Sequence, residues 1–129
     1  MSMTAAQMVT VATARVATVT PQDAWEEIVR GDATVLDVRE PIEWEEHIEG
    51  AIQIPRGILE FQADPAAPAH NPALDPHRRV IVTCRSGTRA TLATATLMDL
   101  GFTDVVNLAG GMSAWKQAGL PTAEAHSKF

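Results

Sequence analysis

Short apolar runs alternate with stretches of helical spacing along this chain, and that alternation limits the folds open to it more than any other feature. Residues 16–19, 34–38, 51–54, 80–83 and 105–108 read as short strands. Between the first two, Thr20 is placed as a helix N-cap, Pro21 as the first helical residue and Asp23 beside the positive end of the helix dipole. Trp25, Ile28 and Val29 then share one helical face, and Gly31 ends the segment. Leu92, Ala93, Thr96, Leu97 and Leu100 recur at helical spacing until Gly101. Gly110 and Gly111 turn the chain into a last helix carrying Trp115, closed by Gly119 and Pro121. Strands and helices alternating at these lengths predict an α/β fold, a central and mostly parallel sheet with helices on both faces. Ligands of such sheets bind beyond the carboxyl ends of the strands.

The chain of 129 residues is the size of one domain and long enough to bury about two-thirds of its unfolded surface. We place that domain at residues 16–122, with 1–15 as a flexible N-terminal segment and 123–129 as a tail. Four of the eight prolines fall within residues 62–79, which read as a surface loop. No apolar run approaches the roughly 20 residues of a membrane span. The Ala-, Thr- and Val-rich start lacks the basic residues and sustained apolar stretch of a signal peptide. With a single cysteine as well, a cytoplasmic location is expected and no membrane partner.

A formal charge of -6 and the absence of any basic stripe argue against nucleic acid as a partner. Glu40, Glu43, Glu45, Glu46 and Glu49 concentrate much of the acidity and are expected to form a solvated face around a short helix. This does not exclude an anionic ligand. Exposed charges are screened beyond a Debye length of about 8 Å, so Arg85 and Arg89 set the field near Cys84.

Cys84 is the only cysteine and follows a strand, with Arg85-Ser86-Gly87-Thr88-Arg89 leading into a helix. A strand–turn–helix aims backbone N–H groups and the positive end of the helix dipole at the turn, which suits an anion and makes Cys84 a candidate thiolate nucleophile. The plainer alternative is a small buried hydrophobe at the end of a core strand. Histidines at 47, 70, 77 and 126 are scattered and show no metal-site spacing. Trp25, Trp44, Trp115, Met98 and Met112 read as packing residues. Asp37 and Arg39 end a strand expected beside that of Cys84 and are assigned to holding its loop rather than to chemistry. Ser86 and Thr88 could donate to a bound sulfur species or simply form the turn.

Cys84, Gly87 and Arg89 fit the pattern Cys-x-x-Gly-x-Arg, and through it the chain resembles the rhodanese family of sulfurtransferases. Two further stretches support this. Upstream are Val35-Leu36-Asp37-Val38-Arg39-Glu40-Pro41 and His47-Ile48-Glu49-Gly50-Ala51-Ile52-Gln53-Ile54-Pro55. Downstream are Gly101-Phe102, Val105, Leu108-Ala109-Gly110-Gly111, Trp115 and Gly119-Leu120-Pro121. The likeness spans about residues 18 to 122, with three motifs in order. Glu46 departs from it, standing where the family usually has glycine, which bears on the local backbone rather than on the chemistry.

The resemblance implies a rhodanese-like three-layer fold and sulfur transfer through a Cys84 persulfide. Arg85, Ser86, Gly87, Thr88 and Arg89 would bind the substrate, and no metal or organic cofactor is implied. Phosphatases and arsenate reductases of similar architecture use a Cys-x5-Arg loop that admits a tetrahedral oxyanion. Four residues separate Cys84 from Arg89, one fewer, which suits a cysteine carrying one added sulfur. The expected partners are a small-molecule sulfur donor such as thiosulfate and an acceptor, cyanide or a thiol, with a protein thiol also possible. The acceptor must come from outside because the chain has no second cysteine. A persulfide carrier serving one protein partner and a non-catalytic interaction module are the alternatives.

Overall fold

The structure is a computed structural model and describes residues 2–125. Its centre is a sheet of β1 (Ala17–Val19), β2 (Thr34–Asp37), β4 (Ile52–Gln53), β5 (Val80–Thr83) and β6 (Val105–Leu108), in the order β1-β6-β5-β2-β4. All neighbours are parallel, as expected for strands separated by crossovers. β3 (Glu46–His47) and β7 (Ala123–Glu124) form a separate antiparallel pair.

Alternation along the strands divides the core in two. Leu36, Val80 and Val82 face one side with Leu59 and Ala63 of α3 (Leu59–Ala63) and Ala90, Ala93 and Leu97 of α4 (Thr88–Asp99). Val35, Ile81, Val106 and Leu108 face the other, against Ala24 of α2 (Pro21–Val29) and Met112 and Trp115 of α5 (Gly111–Gln117). Both faces being covered explains why β5 is apolar at consecutive positions rather than at alternate ones. The Trp25 and Trp115 rings meet edge to face at 6.1 Å.

The expected helix signals operate as physics requires. Thr20 accepts the Asp23 N–H at 3.2 Å, ahead of Pro21. Gly101, at φ +98, closes α4 by donating its N–H to Met98 while Phe102 donates to Leu97. The buried stripe of α2 runs through Ala24 with Trp25 and Ile28, and Val29 lies in solvent rather than on that face.

The first fifteen residues, expected to be flexible, contain an eleven-residue helix, α1 (Ala5–Arg15). Thr4 and Gln7 close a reciprocal capping box, and Arg15 pairs with Asp99 at 2.7 Å, so the helix is tied at both ends. It packs on α4, where Ala95 is buried beside Met8, Val11 and Ala12, in addition to the sheet-facing residues of α4. The expected tail contributes β7, and residues 126–129, including His126, lie outside the described part. The proline-rich stretch carries no regular element after α3, yet Leu74 within it is fully buried and fastens it to the core.

Candidate active site

From β2 the chain moves outward to β4, and from β5 it moves the other way to β6, so the topology reverses between β2 and β5. Their carboxyl ends form the crevice where α/β sheets bind ligands. Asp37 ends β2 and Cys84 follows β5 there.

Gly87 shapes the loop after Cys84. Its φ of +111 is one that residues with a Cβ seldom adopt, and it turns its N–H back to the Cys84 Sγ at 3.1 Å. The Ala90 N–H reaches the same sulfur at 3.3 Å. Ala90 belongs to the first turn of α4, whose amides have no helical carbonyl to bond. Cys84 is 1 % exposed and packs in the core, so part of the plainer reading holds. A passive core thiol does not gather two amides and a helix N-terminus, however. Those groups are donors placed where an anionic sulfur would be solvated.

Three sets of contacts hold this loop. Behind it, Gly111 brings the start of α5 so near that a Cβ there would lie 2.5 Å from the Cys84 carbonyl oxygen and 2.8 Å from that of Arg85. The Met112 and Ser113 N–H groups donate to those two carbonyls at 2.8 and 2.9 Å. Beneath it, Asn107 donates to Thr91 Oγ1 at 2.7 Å, and Thr91 donates to the Gly87 carbonyl at 2.8 Å. At its flank, Glu43 accepts both terminal nitrogens of Arg89 at 2.7 and 2.9 Å. The Arg89 guanidinium holds the Glu43 carboxyl down at about 2 despite partial burial, with help from the Glu40 amide, and Glu43 in turn raises Arg89 above its ordinary value.

The expected site residues thus separate by position. Cys84 and Gly87 meet at the sulfur, while Arg89 braces the loop through Glu43. Asp37 is fully buried and grips Arg39 in a forked pair at 2.8 to 3.1 Å, and Arg39 also donates to the Glu46 carbonyl at 2.9 Å. Arg85 is exposed and lines a cavity of about 310 Å³ with Arg39, Glu43, Met112, Ser113 and Lys116. Ser86 and Thr88 hydrogen-bond to no sulfur. Both are exposed on the far side of the loop, in a depression shared with Val9 and Thr13 of α1.

The acidic cluster is a solvated face in part: Glu40, Glu45 and Glu49 are exposed around a short helix, while Glu43 and Glu46 are engaged in ion pairs. Glu43 belongs to a 3-10 turn, Pro41–Glu43, and is spent on Arg89, and Glu46 pairs with Lys116 at 2.7 Å. Glu46 adopts no left-handed backbone, since among the described residues positive φ occurs only at glycines. His47 and His70 bond the Trp44 and Leu74 carbonyls. The roles of Glu43, Asn107, Gly111 and Lys116 escape a reading of the sequence because each acts through a partner distant along the chain, and that of Ala90 because it acts through its backbone. Only the Gly110-Gly111 pair carries a local signal, an unusual run of backbone freedom before a helix.

Residues 20–118 match the family model described as a rhodanese-like domain. The chain is 40 % identical over 95 residues to thiosulfate sulfurtransferase 16 of Arabidopsis thaliana, covering 67 % of this chain and 77 % of that protein. It is 33 % identical over 104 residues to the probable adenylyltransferase/sulfurtransferase MoeZ of Mycobacterium tuberculosis, covering 79 % of this chain and 25 % of that protein, so it spans a quarter of the length of that relative. Among solved structures, a protein of unknown function from Rhodopseudomonas palustris, called a possible tyrosine phosphatase, superposes with a TM-score of 0.87 at 31 % identity over 95 % of this chain and 96 % of that one. Thiosulfate sulfurtransferase from Pseudomonas aeruginosa superposes with a TM-score of 0.73 at 26 % identity over 95 % of this chain and 23 % of that one. The family match, reinforced by a sulfur held at the turn between β5 and α4, shows that this chain belongs to the rhodanese-like family, whose members similar to it include named sulfurtransferases.

Proposed function

We propose that the protein is a rhodanese-type sulfurtransferase in which Cys84 carries the transferred sulfur. The Cys84 thiolate attacks the outer sulfur of a donor such as thiosulfate. The sulfur–sulfur bond of the donor breaks, its electron pair departs with sulfite, and Cys84 is left as a persulfide. A nucleophilic acceptor, cyanide or a thiol, then takes the outer sulfur and returns the thiolate. The observation that carries this reading is the pair of backbone N–H groups on the Cys84 Sγ, 3.1 Å from Gly87 and 3.3 Å from Ala90. They are in place before reaction and favour sulfur that is anionic in the thiolate and the persulfide alike.

Arg85 orients the donor, Gly87 supplies a donor amide, and Arg89 keeps the loop in shape. Ser86 and Thr88 serve the turn. Asp37 positions Arg39 and does not react. Because Cys84 is the only cysteine, a second thiol must arrive from outside, and a reducing compartment such as the cytoplasm suits that need. Among the described residues no helix is long and apolar enough to cross a membrane.

The Rhodopseudomonas palustris protein raises phosphatase chemistry as a second reading. The loop speaks against it: with four residues between Cys84 and Arg89, and Arg89 turned to Glu43, it lacks the extra residue that makes room for a tetrahedral oxyanion. Intact-mass measurement tests the choice. Thiosulfate is expected to add one sulfur to the wild type, a thiol wash to remove it, and Cys84→Ser to prevent it. Sulfur uptake by the Ser variant, or hydrolysis of an aryl phosphate by the wild type without sulfur uptake, overturns the proposal. A rate that appears only with one particular protein acceptor would instead identify a dedicated carrier.

A further inference from the structure

The cavity beside the active loop is rich in positive charge although the chain is acidic. Arg39, Arg85 and Lys116 line its wall with one carboxylate, Glu43, and that carboxylate is committed to Arg89. Arg39 is likewise committed, to Asp37. Arg85 makes no ion pair among the described residues, and the pair that Lys116 makes with Glu46 is half exposed where that of Arg39 is buried, so Arg85 and Lys116 are the cations best able to meet a ligand. Met112 and Lys116 stand one turn apart on α5, and Met112 and Ser113 wall the cavity with the same residues whose amides hold the Cys84 and Arg85 carbonyls. The cavity therefore adjoins the reacting loop.

Lys116 does not act alone. Its ammonium lies 2.7 Å from Glu46 Oε1, and Thr122 donates to Glu46 Oε2 at 3.3 Å. Glu46 stands at the one position where the chain departs from the glycine usual in the upstream motif. A glycine there would leave Lys116 unrestrained. The pair is about half exposed on both sides, so it is weak and can exchange partners.

Resting on the proposed sulfur transfer, we infer that Lys116 is a specificity-determining residue that receives the anionic group of the sulfur donor, with Glu46 as an internal competitor for it. When thiosulfate enters, two negative charges must be met beside the Cys84 thiolate, and the same two charges remain on the departing sulfite. Arg85 from the active loop and Lys116 from α5 supply two positive charges to the same cavity. An uncharged donor has no use for either. Glu46 weakens the hold on a dianion, so the product sulfite is not retained.

The test compares Lys116→Ala, Lys116→Arg and Glu46→Gln with the wild type at low and at 0.5 M salt, using as donors thiosulfate and a small alkyl hydropersulfide in its uncharged protonated form, whose outer sulfur passes to the Cys84 thiolate as the alkyl thiolate leaves. An exposed charge contact changes binding by up to about fivefold. Lys116→Ala should raise KM for thiosulfate by about that factor at low salt and much less at high salt, with kcat and the hydropersulfide kinetics little changed. Lys116→Arg should restore KM, and Glu46→Gln should lower it. Thermal melts should stay within a degree or two, because a half-exposed pair contributes little to stability. An unchanged thiosulfate KM in Lys116→Ala, or an equal loss with both donors, overturns the inference and leaves sulfur transfer standing. A wild type that takes sulfur from neither donor overturns both.

Discussion

Arg85 and Arg89 sit four residues apart, yet their surroundings assign them different work. Arg85 projects into the cavity without an ion-pair partner among the described residues, so its removal should chiefly raise KM for thiosulfate and the loss should shrink with salt. Arg89 is held in a fork by Glu43, with the two side chains about 37 % and 25 % exposed. Arg89→Ala should lower kcat as the loop loosens and reduce stability by about 1 kcal/mol, roughly 4 °C in Tm. Steady-state kinetics at two ionic strengths, beside melts, separate the two effects. An Arg89→Ala enzyme that differs only in KM would refute the division of labour. Glu43 adds a dependence on pH. Its folded-state pKa of about 2 lies below the ordinary 4.5, so its contribution is complete above 4.5 and is lost as pH falls through that value toward 2. Melts between pH 5 and 3 should therefore decline more steeply in the wild type than in Glu43→Gln, and parallel curves would show that the pair does not stabilise the fold.

Helix α5 is short, but its first turn decides where the active loop stands. Gly111→Ala would place a methyl 2.5 Å from the Cys84 carbonyl oxygen, a distance no side chain tolerates, and neither neighbour is a flexible side-chain end. The helix must then retreat and release the Met112 and Ser113 amide bonds. Sulfur uptake measured by mass should fall by at least tenfold. Gly119→Ala, also at positive φ but with open space around its Cβ, should cost only about 1 kcal/mol and leave uptake intact. Equal damage from both substitutions would refute the close-approach argument. Elements of this kind explain what the sequence could show. β5 and β6 are legible because both faces are covered and all their residues but Thr83 and Asn107 are apolar, and α2 because Thr20, Pro21 and Gly31 mark its ends. The loop itself is legible because Cys84, Gly87 and Arg89 are local to one another. The braces are not. Nothing near Glu43 in the chain distinguishes it from Glu40 or Glu45, since its meaning comes from Arg89, 46 residues away. α1 is missed for a related reason: its composition is poor in large apolar residues, and its stability depends on the capping box and on a surface of α4 that no periodicity reveals.

Across the whole molecule, the matched family segment begins at residue 20, so α1 and β1 lie ahead of it while still packing on its helices and sheet. Removing residues 1–15 uncovers the outer face of α4, including Ala95, and deletes the Arg15–Asp99 pair. Amide exchange in the second half of α4 should accelerate while the sheet strands keep their protection, because the helix loses cover and the central sheet does not. Uniform acceleration would mean instead that α1 belongs to the cooperative core. A different consequence follows from the depth of the one sulfur. Two molecules can join through a disulfide only if their sulfurs approach to about 2.05 Å, with the two Cβ atoms about 3.8 Å apart. Cys84 is 1 % exposed behind its own loop, so a second copy cannot reach it without pulling that loop open. Air-aged protein should run as a monomer on a non-reducing gel, and a covalent dimer would show that the loop opens far enough to expose the sulfur. The burial of the one sulfur thus protects each copy of the chain from being cross-linked by its own neighbours in a crowded solution.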